Sequence, residues 1–458
     1  MFSDLITRPL NANAYSDVPF SFLDQAAQND LANITAINLI ENGDRAARET
    51  WQNRQLTHLL RHAQARSGFW RKRLPSRMIN HGVMKYVPIQ SRQDIATQVN
   101  LEGSLVPTDG KTPVASYAST GSTGAPVKVY GTPENGYYTV IRSLAQYFIN
   151  DLSLAEDRIQ IIPAVSLAKL EKKSLAVESS DSWAGPLSKV FRNGSARKII
   201  HQYDDHALMQ ELSKYRAGYL VCANRYVEII LKHGGIEFIK QLGIKTWLHL
   251  NDYRDPEVVK ALESVGVQCL SNYSAGEVGP IAFECSRHQG YFHVAHTNVM
   301  VECDEQLTVP FDGASLGRLL VTHLHSYATP VIRYDIGDFG QLEQRCRCGH
   351  DGPTISRIFG RGKHFLRHPD GSLLPFYLST RTLLEILDFK EFRVRQDSID
   401  TITVEIGGRE DITANEEAAL RQYIIKATDS AFNIEIRLVR EIDWTANPKR
   451  LFFSSSVA

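Results

Sequence analysis

Ser119-Thr120-Gly121-Ser122-Thr123-Gly124-Ala125-Pro126-Val127-Lys128 lies between two short β-prone runs, VASYA (114–118) before it and VKVY (127–130) at its end. Glycine lets backbone N–H groups turn toward an anion, the hydroxyls donate further hydrogen bonds, and a lysine adds a mobile positive charge. The stretch therefore has the chemistry of a phosphate cradle. Its spacing is neither GxxxxGK[ST] nor GxGxxG, and a strand-like run follows it where a P-loop would open a helix. Outward from this loop, helical spacing over 137–148 and 226–242 and over 255–265 alternates with the strand-like runs RIQIIP, AGYLVCA, KTWLHL, VQCLSNYS and GRLLVTHL. Such alternation predicts a layered α/β body.

Before that body, residues 22–74 place apolar side chains at helical intervals, as in Leu56, Leu59, Leu60 and Ala63. After Gly360 the order changes: a hairpin signal at Asp370-Gly371, a helix near 380–387, strands FRVRQ and TITVEI, a helix over 415–430 and a strand IEIRLVREI. That βαββαβ-like string has the size of a small independent domain. The expected organisation is a helical segment over 1–75, a large α/β domain over 76–360 and a small α+β domain over 361–458.

The 458 residues carry 51 Lys plus Arg against 51 Asp plus Glu, a formal charge of zero, which argues against partners such as nucleic acid or an anionic membrane. With 43% hydrophobic and 22% charged residues the composition is that of a soluble globular chain. The N-terminal stretch has no basic region followed by an apolar run, and no window approaches the roughly 18 apolar residues of a membrane span, so a cytoplasmic protein is expected. Six cysteines (Cys222, Cys269, Cys285, Cys303, Cys346, Cys348) are too scattered for a disulfide framework. Cys346-x-Cys348 supplies two soft ligands, and Cys285 stands beside His288 and His293, so thiolates plus one imidazole would satisfy a tetrahedral structural zinc. Either histidine suits: His288 has the tighter sequence spacing.

Four segments in order resemble the adenylate-forming superfamily, and within it the phenylacetate-CoA ligase-like family. They are the Ser/Thr/Gly loop; Asn272-Tyr273-Ser274-Ala275-Gly276-Glu277-Val278-Gly279-Pro280 with Glu284-Cys285; Thr329-Pro330-Val331-Ile332-Arg333-Tyr334-Asp335-Ile336-Gly337-Asp338; and Cys346-Arg347-Cys348-Gly349 through Gly360-Arg361. The resemblance implies an adenylate-forming type of fold, a large layered α/β N-terminal domain with a small mobile α+β C-terminal domain. It implies that a small carboxylic acid reacts with ATP to give an acyl-adenylate and pyrophosphate. The acyl group then passes to coenzyme A, with a carrier protein or an amine as alternative acceptors. Homodimerisation stays open, as does a non-catalytic scaffold of the same fold.

Residue by residue, the resemblance implies phosphate contacts from Ser119, Thr120, Gly121, Ser122, Thr123, Gly124 and Lys128, and a nucleotide contact from Ser274. It gives Tyr273 the adenine face, Asp338 the ribose hydroxyls, and Glu277 a magnesium ion, a hard cation that favours carboxylate oxygen. Arg333 on the same stretch holds its loop by ion pairing. Arg361 reaches ribose or phosphate, Lys363 marks the hinge, and Lys449 is the late catalytic lysine, with Arg450 as fallback. Some members of the family hold a zinc through Cys, a nearby His and a Cys-x-Cys pair, and in that pattern His293 fits better than His288. Departures are Leu250-Asn251-Asp252 at a nucleotide-lining turn, His323 and His325 in place of threonines, and His364 in place of an acidic residue.

Overall fold

A computed structural model describes residues 10, 14–16, 21–74, 81–100, 115–118, 127–163, 175–201, 204–250, 254–311, 314–359, 365–376, 378, 380–428, 432–444 and 452–457. Helices α1 (Gln25–Glu41), α2 (Arg45–Arg66) and α3 (Gly68–Arg73) open the chain, the first two capped by Asp24 and Asp44, whose carboxylates accept first-turn N–H groups. Leu56, Leu59, Leu60 and Ala63 of α2 are fully buried, packed with Trp70, Leu324 and Ile332. The helical spacing read over 22–74 thus marks a stripe that covers the main body. Helix α4 (Arg92–Asn100) follows. Ser91 and Asp94 form a reciprocal capping box at its start: the Ser91 hydroxyl accepts from the Asp94 N–H (3.1 Å) and the Asp94 carboxylate from the Ser91 N–H (2.8 Å).

Strands β1 (Ala115–Ala118) and β2 (Lys128–Gly131) pair antiparallel, and Thr132 and Pro133 then start α5 (Pro133–Ile149). Strands β3 (Arg158–Pro163), β4 (Leu175–Ser180), β5 (Ala196–His201), β6 (Tyr219–Cys222), β7 (Thr246–His249) and β8 (Gln268–Ala275) come next, with helices α6 (Asp205–Leu212), α7 (Asn224–Leu242) and α8 (Pro256–Glu263) between them. Strands β9 (Gly279–Cys285), β10 (His288–Val294), β11 (Val299–Phe311), β12 (Ala314–His323), β13 (Tyr334–Glu343) and β14 (Thr354–Phe359) complete a twelve-stranded sheet of order β11-β12-β13-β14-β10-β9-β8-β7-β6-β3-β5-β4.

This sheet has two halves of opposite logic. From β5 through β3, β6 and β7 into β8 the pairs are parallel, with β4 antiparallel at the edge. Beyond β8 every pair is antiparallel. Strand β8 belongs to both: residues 268–271 pair parallel with β7, and residues 272–275 pair antiparallel with β9. The second half of β8 therefore projects past the carboxyl ends of the parallel strands, where ligands collect in open α/β sheets.

The C-terminal unit contains a hairpin of β15 (Phe365–Arg367) and β16 (Leu373–Pro375), helices α9 (Thr380–Ile386) and α10 (Ala414–Thr428), and strands β17 (Glu391–Ser398), β18 (Thr401–Gly407), β19 (Asn433–Val439) and β20 (Phe453–Ser455). It differs from the expected βαββαβ string in one respect. The hairpin forms its own two-stranded sheet, and the fourth strand of the sheet β19-β18-β17-β20 comes from the last residues of the chain. Apolarity decides this: Phe453 is fully buried and lies parallel to β17, and the Val394 N–H donates to the Phe452 carbonyl at 2.6 Å. Among the described residues no helix is long and apolar enough to cross a membrane.

Candidate active site and metal cluster

Tyr273 stands in the antiparallel half of β8 and Asp338 in β13, and the two meet: the Tyr273 hydroxyl donates to the Asp338 carboxylate at 2.6 Å. Ser274, next along β8, is exposed. Glu277 occupies the tight turn between β8 and β9, which closes through a Val278 N–H to Ala275 carbonyl bond (3.2 Å) and needs Gly279 at φ +74°. Its carboxylate is 5% exposed. One oxygen faces the Arg92 guanidinium at 3.2 Å and the Tyr334 hydroxyl at 3.4 Å, while the other is buried with no partner among the described residues. A buried carboxylate oxygen without a donor is a costly group unless a cation meets it, so the donor set fits a magnesium ion.

The segment carrying Asp338 is held in place before it reaches the site. Gln90, fully buried, donates from its backbone N–H to the Arg333 carbonyl (3.0 Å) and accepts with its own carbonyl from the Asp335 N–H (2.9 Å). Its side chain accepts from the Ile332 N–H (3.0 Å) and donates to the Pro330 carbonyl (3.3 Å). Residues 87–92 thus run beside 330–335 and deliver Arg92 to Glu277. Arg333 is the one non-glycine residue of this segment in a left-handed backbone conformation that favours glycine, φ +48°. It is held there by its guanidinium on Glu302 (3.1 Å to each oxygen) and on the Val87 carbonyl (2.6 Å). The ion-pairing role expected for Arg333 is what its geometry supports. Strain of this kind, about 1–3 kcal/mol, concentrates at functional sites.

Of the phosphate-loop residues, Lys128 is described: it is exposed on β2 with its ammonium 5.0 Å from the Tyr130 ring. Strand β2 is tied to the same site, since the Tyr130 N–H donates to the Thr329 hydroxyl at 2.9 Å. Ser119, Thr120, Gly121, Ser122, Thr123 and Gly124 lie outside the described residues, as do Arg361, Lys363, His364, Lys449 and Arg450. The two strand-like runs expected on either side of the 119–126 loop are strands, and they pair with each other, Ala118 opposite Lys128. The sequence reading missed Arg92 as a site residue. The Ser91/Asp94 capping signal marks the helix that carries it, but nothing local says that this helix points at a carboxylate 185 positions away.

Cys285, His293, Cys346 and Cys348 converge so that their ligand atoms all lie within 4.8 Å of one another. Cys285 ends β9, His293 sits on β10, and the other two come from the β13–β14 connection, where the Cys346 N–H donates to the His350 carbonyl (3.1 Å), the Gly349 N–H donates to the Cys346 carbonyl (3.0 Å) and Gly349 has φ +94°. His288 is not part of the group, so His293 is the histidine of the two that the fold brings to the cysteines. His293 Nε2 is 3.4 Å from the Cys348 sulfur, its ring stacks on His350 with centroids 4.3 Å apart, and its Nδ1 has no partner among the described residues. Burial pushes the Cys285 and Cys346 thiols up and the His293 imidazolium down to about 3. A neutral imidazole and three clustered sulfurs supply the four donors that a tetrahedral zinc site takes. Glu284, next to Cys285, holds the β9–β10 turn that follows: it forms a two-pronged pair with Arg254 (2.6 Å each) and accepts from the Gly290 N–H (2.7 Å).

No protein-family model matches the sequence. Protein CapK of Staphylococcus aureus is 25% identical over 193 residues, a match that spans 41% of this chain and 41% of that protein. Among solved structures, 2-hydroxyisobutyryl-CoA ligase in the postadenylation state, in complex with 2-HIB-AMP, superposes with a TM-score of 0.64 at 14% identity, over 92% of this chain and 91% of that one. The same ligase in the thioesterification state, with 2-HIB-AMP and CoA, gives 0.57 at 14% identity over 91% and 92%. The chain shares its mixed α/β fold, a large sheet domain followed by a smaller α+β domain, with this acyl-CoA ligase.

Proposed function

We propose that this chain is an adenylating enzyme of the phenylacetate-CoA ligase-like kind, activating a carboxylic acid with ATP and passing the acyl group to coenzyme A. The observation that carries the reading is the meeting of two distant segments at the carboxyl end of the parallel strands: Tyr273 bonds Asp338, and Glu277, four residues after Tyr273, faces Tyr334 of the Asp338 segment. Tyr273 takes the adenine face, Asp338 the ribose hydroxyls, and the hydroxyls and lysine of the 119–128 segment the phosphates. An acid carboxylate oxygen then attacks the α-phosphorus, the bond from that phosphorus to the bridging oxygen breaks, and pyrophosphate leaves. The coenzyme A thiol next displaces AMP from the acyl carbon. No protein nucleophile is needed, so the residues contribute position and charge.

Glu277 would hold magnesium, which when bound neutralises phosphate charge. Arg92 and Tyr334 orient that carboxylate. Arg361 and Lys449 serve the small domain's side of the reaction, about a hinge at Lys363. Cys285, His293, Cys346 and Cys348 would hold a zinc that staples β9, β10 and the β13–β14 connection, with no open position for catalysis. The metal reading predicts one zinc per chain by elemental analysis, halved or worse in Cys348→Ser. Absence of zinc from protein purified without chelator would refute it.

The activity test is acid-dependent exchange of pyrophosphate into ATP across aryl, fatty and amino acids, followed by mass spectrometry of products with coenzyme A. Exchange that depends on an acid and disappears in Glu277→Ala is expected. Lys449→Ala should impair adenylation while leaving ATP binding in place. Exchange that survives Glu277→Ala at full rate overturns the magnesium role, and failure to bind ATP in calorimetry overturns the whole reading.

A further inference from the structure

Between α1, α2 and α5 lies a cavity of roughly 410 Å³. Its walls combine apolar and aromatic side chains, including Ile37, Ile40, Trp51 and Tyr138, with polar ones such as Gln55, and one of its lining residues is Arg142. This guanidinium is 5% exposed, and among the described residues no carboxylate lies within ion-pairing distance of it. Its contacts are a marginal hydrogen bond to the Asn298 side-chain oxygen (3.5 Å) and the face of Tyr138 (5.3 Å). Among the described residues its Nε has no partner, and neither has the buried side-chain oxygen of Asn135, another lining residue. The carboxylate of Glu41, whose charge reaches Arg142, is taken up by the N–H groups of His296 (2.9 Å) and Thr297 (2.7 Å). Glu134, the one acidic lining residue among those described, is exposed in the first turn of α5. Burial holds His325 down to about 4, so that imidazole adds no second positive charge.

A buried charge without a partner is among the most expensive groups a fold can carry, and it persists where a ligand supplies the partner. The cavity is linked to the site already described through Asn298 and α5. Asn298, which Arg142 touches, donates to the carbonyls of Val278 (2.8 Å) and Pro280 (2.7 Å), just past Glu277. Thr132 lines the cavity directly after β2, and Thr139 of α5 stands 3.1 Å from where a side chain on Gly279 would begin.

We infer that this cavity receives the acid to be activated, and that the acid carries a second anionic group, a carboxylate, held by Arg142. The inference rests on the acid-activating reading for the fate of the first carboxylate, but not for the binding of the second. The apolar walls cover the spacer between the two, and the amide of Asn135 offers a further polar contact at the same depth.

The test compares terephthalate and the straight-chain dicarboxylates of three to eight carbons with their monoacid counterparts, 4-methylbenzoate and the fatty acids of matched length. Two readouts are used: pyrophosphate exchange, and calorimetric binding without ATP. Wild type should prefer a diacid over its matched monoacid by about a hundredfold in KM or Kd, the scale of a charged hydrogen bond in a buried site. Arg142→Met should erase that preference and Arg142→Lys should keep part of it. The apo melting temperature of Arg142→Met should equal or exceed that of wild type, because a buried unpaired charge has gone.

Equal use of monoacid and diacid by wild type, or a diacid preference that survives in Arg142→Met, overturns the inference while leaving acid activation intact. Diacid binding that depends on Arg142 without any exchange leaves the anion pocket standing and removes the activation reading. No binding of any diacid, or a lower melting temperature for the Met variant, makes Arg142 a structural residue and overturns the inference.

Discussion

The two halves of the large sheet are built on different principles, and the candidate chemistry sits in one of them. In the parallel half the central strands are buried throughout: all four residues of β6 and all four of β7 are covered. Trp247, fully buried, lies at the heart of the cluster with Leu220, Ile230 and Leu262. In the antiparallel half the strands carry glycines in left-handed turns, at Gly279, Gly290, Gly337 and Gly349, and buried polar groups such as Glu277, Glu284, His293 and Asp338. One half is fixed chiefly by area removed from water, while the other adds turns and specific hydrogen bonds to an apolar cluster around Ile281, Val321 and Ile355. Strand β8 passes from the first to the second, which puts Tyr273 on a rigid base, its ring against the apolar cluster and its hydroxyl on Asp338.

If that division holds, a change in the polar half should cost activity without stability, and the largest effect belongs to Glu277. Glu277→Gln keeps the shape and removes the charge, and exchange should fall by about 10³-fold or more, roughly 4 kcal/mol of barrier. Its urea midpoint should stay near wild type, since the replaced oxygen has no partner to lose. A large drop in stability with a proportionate drop in exchange would break the comparison. The converse change is Trp247→Ala, expected to cost about 3–5 kcal/mol in denaturant unfolding. Among molecules still folded, the KM for ATP should be unchanged; a shifted KM would mean that the parallel half is no mere platform.

The same division explains what could be read in the sequence. AGYLVCA and KTWLHL carry near-continuous apolar runs, the signature of strands covered on both faces, and they correspond to β6 and β7, while RIQIIP and VQCLSNYS, with polar residues among the apolar ones, become the less fully covered β3 and β8. GPIAFEC, YDIGDFGQLE and TISRIF, which become β9, β13 and β14, are interrupted by glycine and charge and show no clean alternation. The last strand of the small domain escaped notice because three residues carry no period. In the site, Tyr273, Glu277, Asp338 and the metal-type quartet are visible as spaced motifs. Arg92 and Arg142 are not, because each acquires meaning only from a partner 185 or 156 positions away, Glu277 and Asn298.

A smaller effect sharpens the picture within the polar half. Asp338→Asn keeps a hydrogen-bond acceptor for Tyr273 but loses the charge that can hold two ribose hydroxyls at once, so KM for ATP should rise about ten- to a hundredfold, roughly 1.4–2.8 kcal/mol. Tyr273→Phe removes the 2.6 Å bond to Asp338 while keeping the aromatic face, and should raise KM less. If the phenylalanine variant were the worse of the two, Tyr273 would act through its hydroxyl and the adenine assignment would fail.

The smallest expected effect, per residue, asks whether the two halves respond alike to acid. His249 in the parallel half is held down to about 3, chiefly by burial with help from the Arg254 charge, and His325 in the antiparallel half is held down to about 4 by burial. A histidine that resists protonation when folded, against about 6.5 when unfolded, favours the folded state above that unfolded value. As pH falls below about 6.5 the unfolded chain takes up protons that the folded chain refuses, and each such histidine removes about 1.4 kcal/mol of stability per pH unit. The loss accumulates until the folded values, about 3 and about 4, are reached. Urea unfolding at pH 7.5, 6, 5 and 4.5, at constant metal content, measures the slope. His249→Gln should make it shallower by about 1.4 kcal/mol per pH unit between pH 6 and 4.5, with His325→Gln equal to it although their neighbours share nothing. An unchanged slope in either variant would mean that its histidine takes up a proton without unfolding, so that this half of the sheet admits water where the other does not.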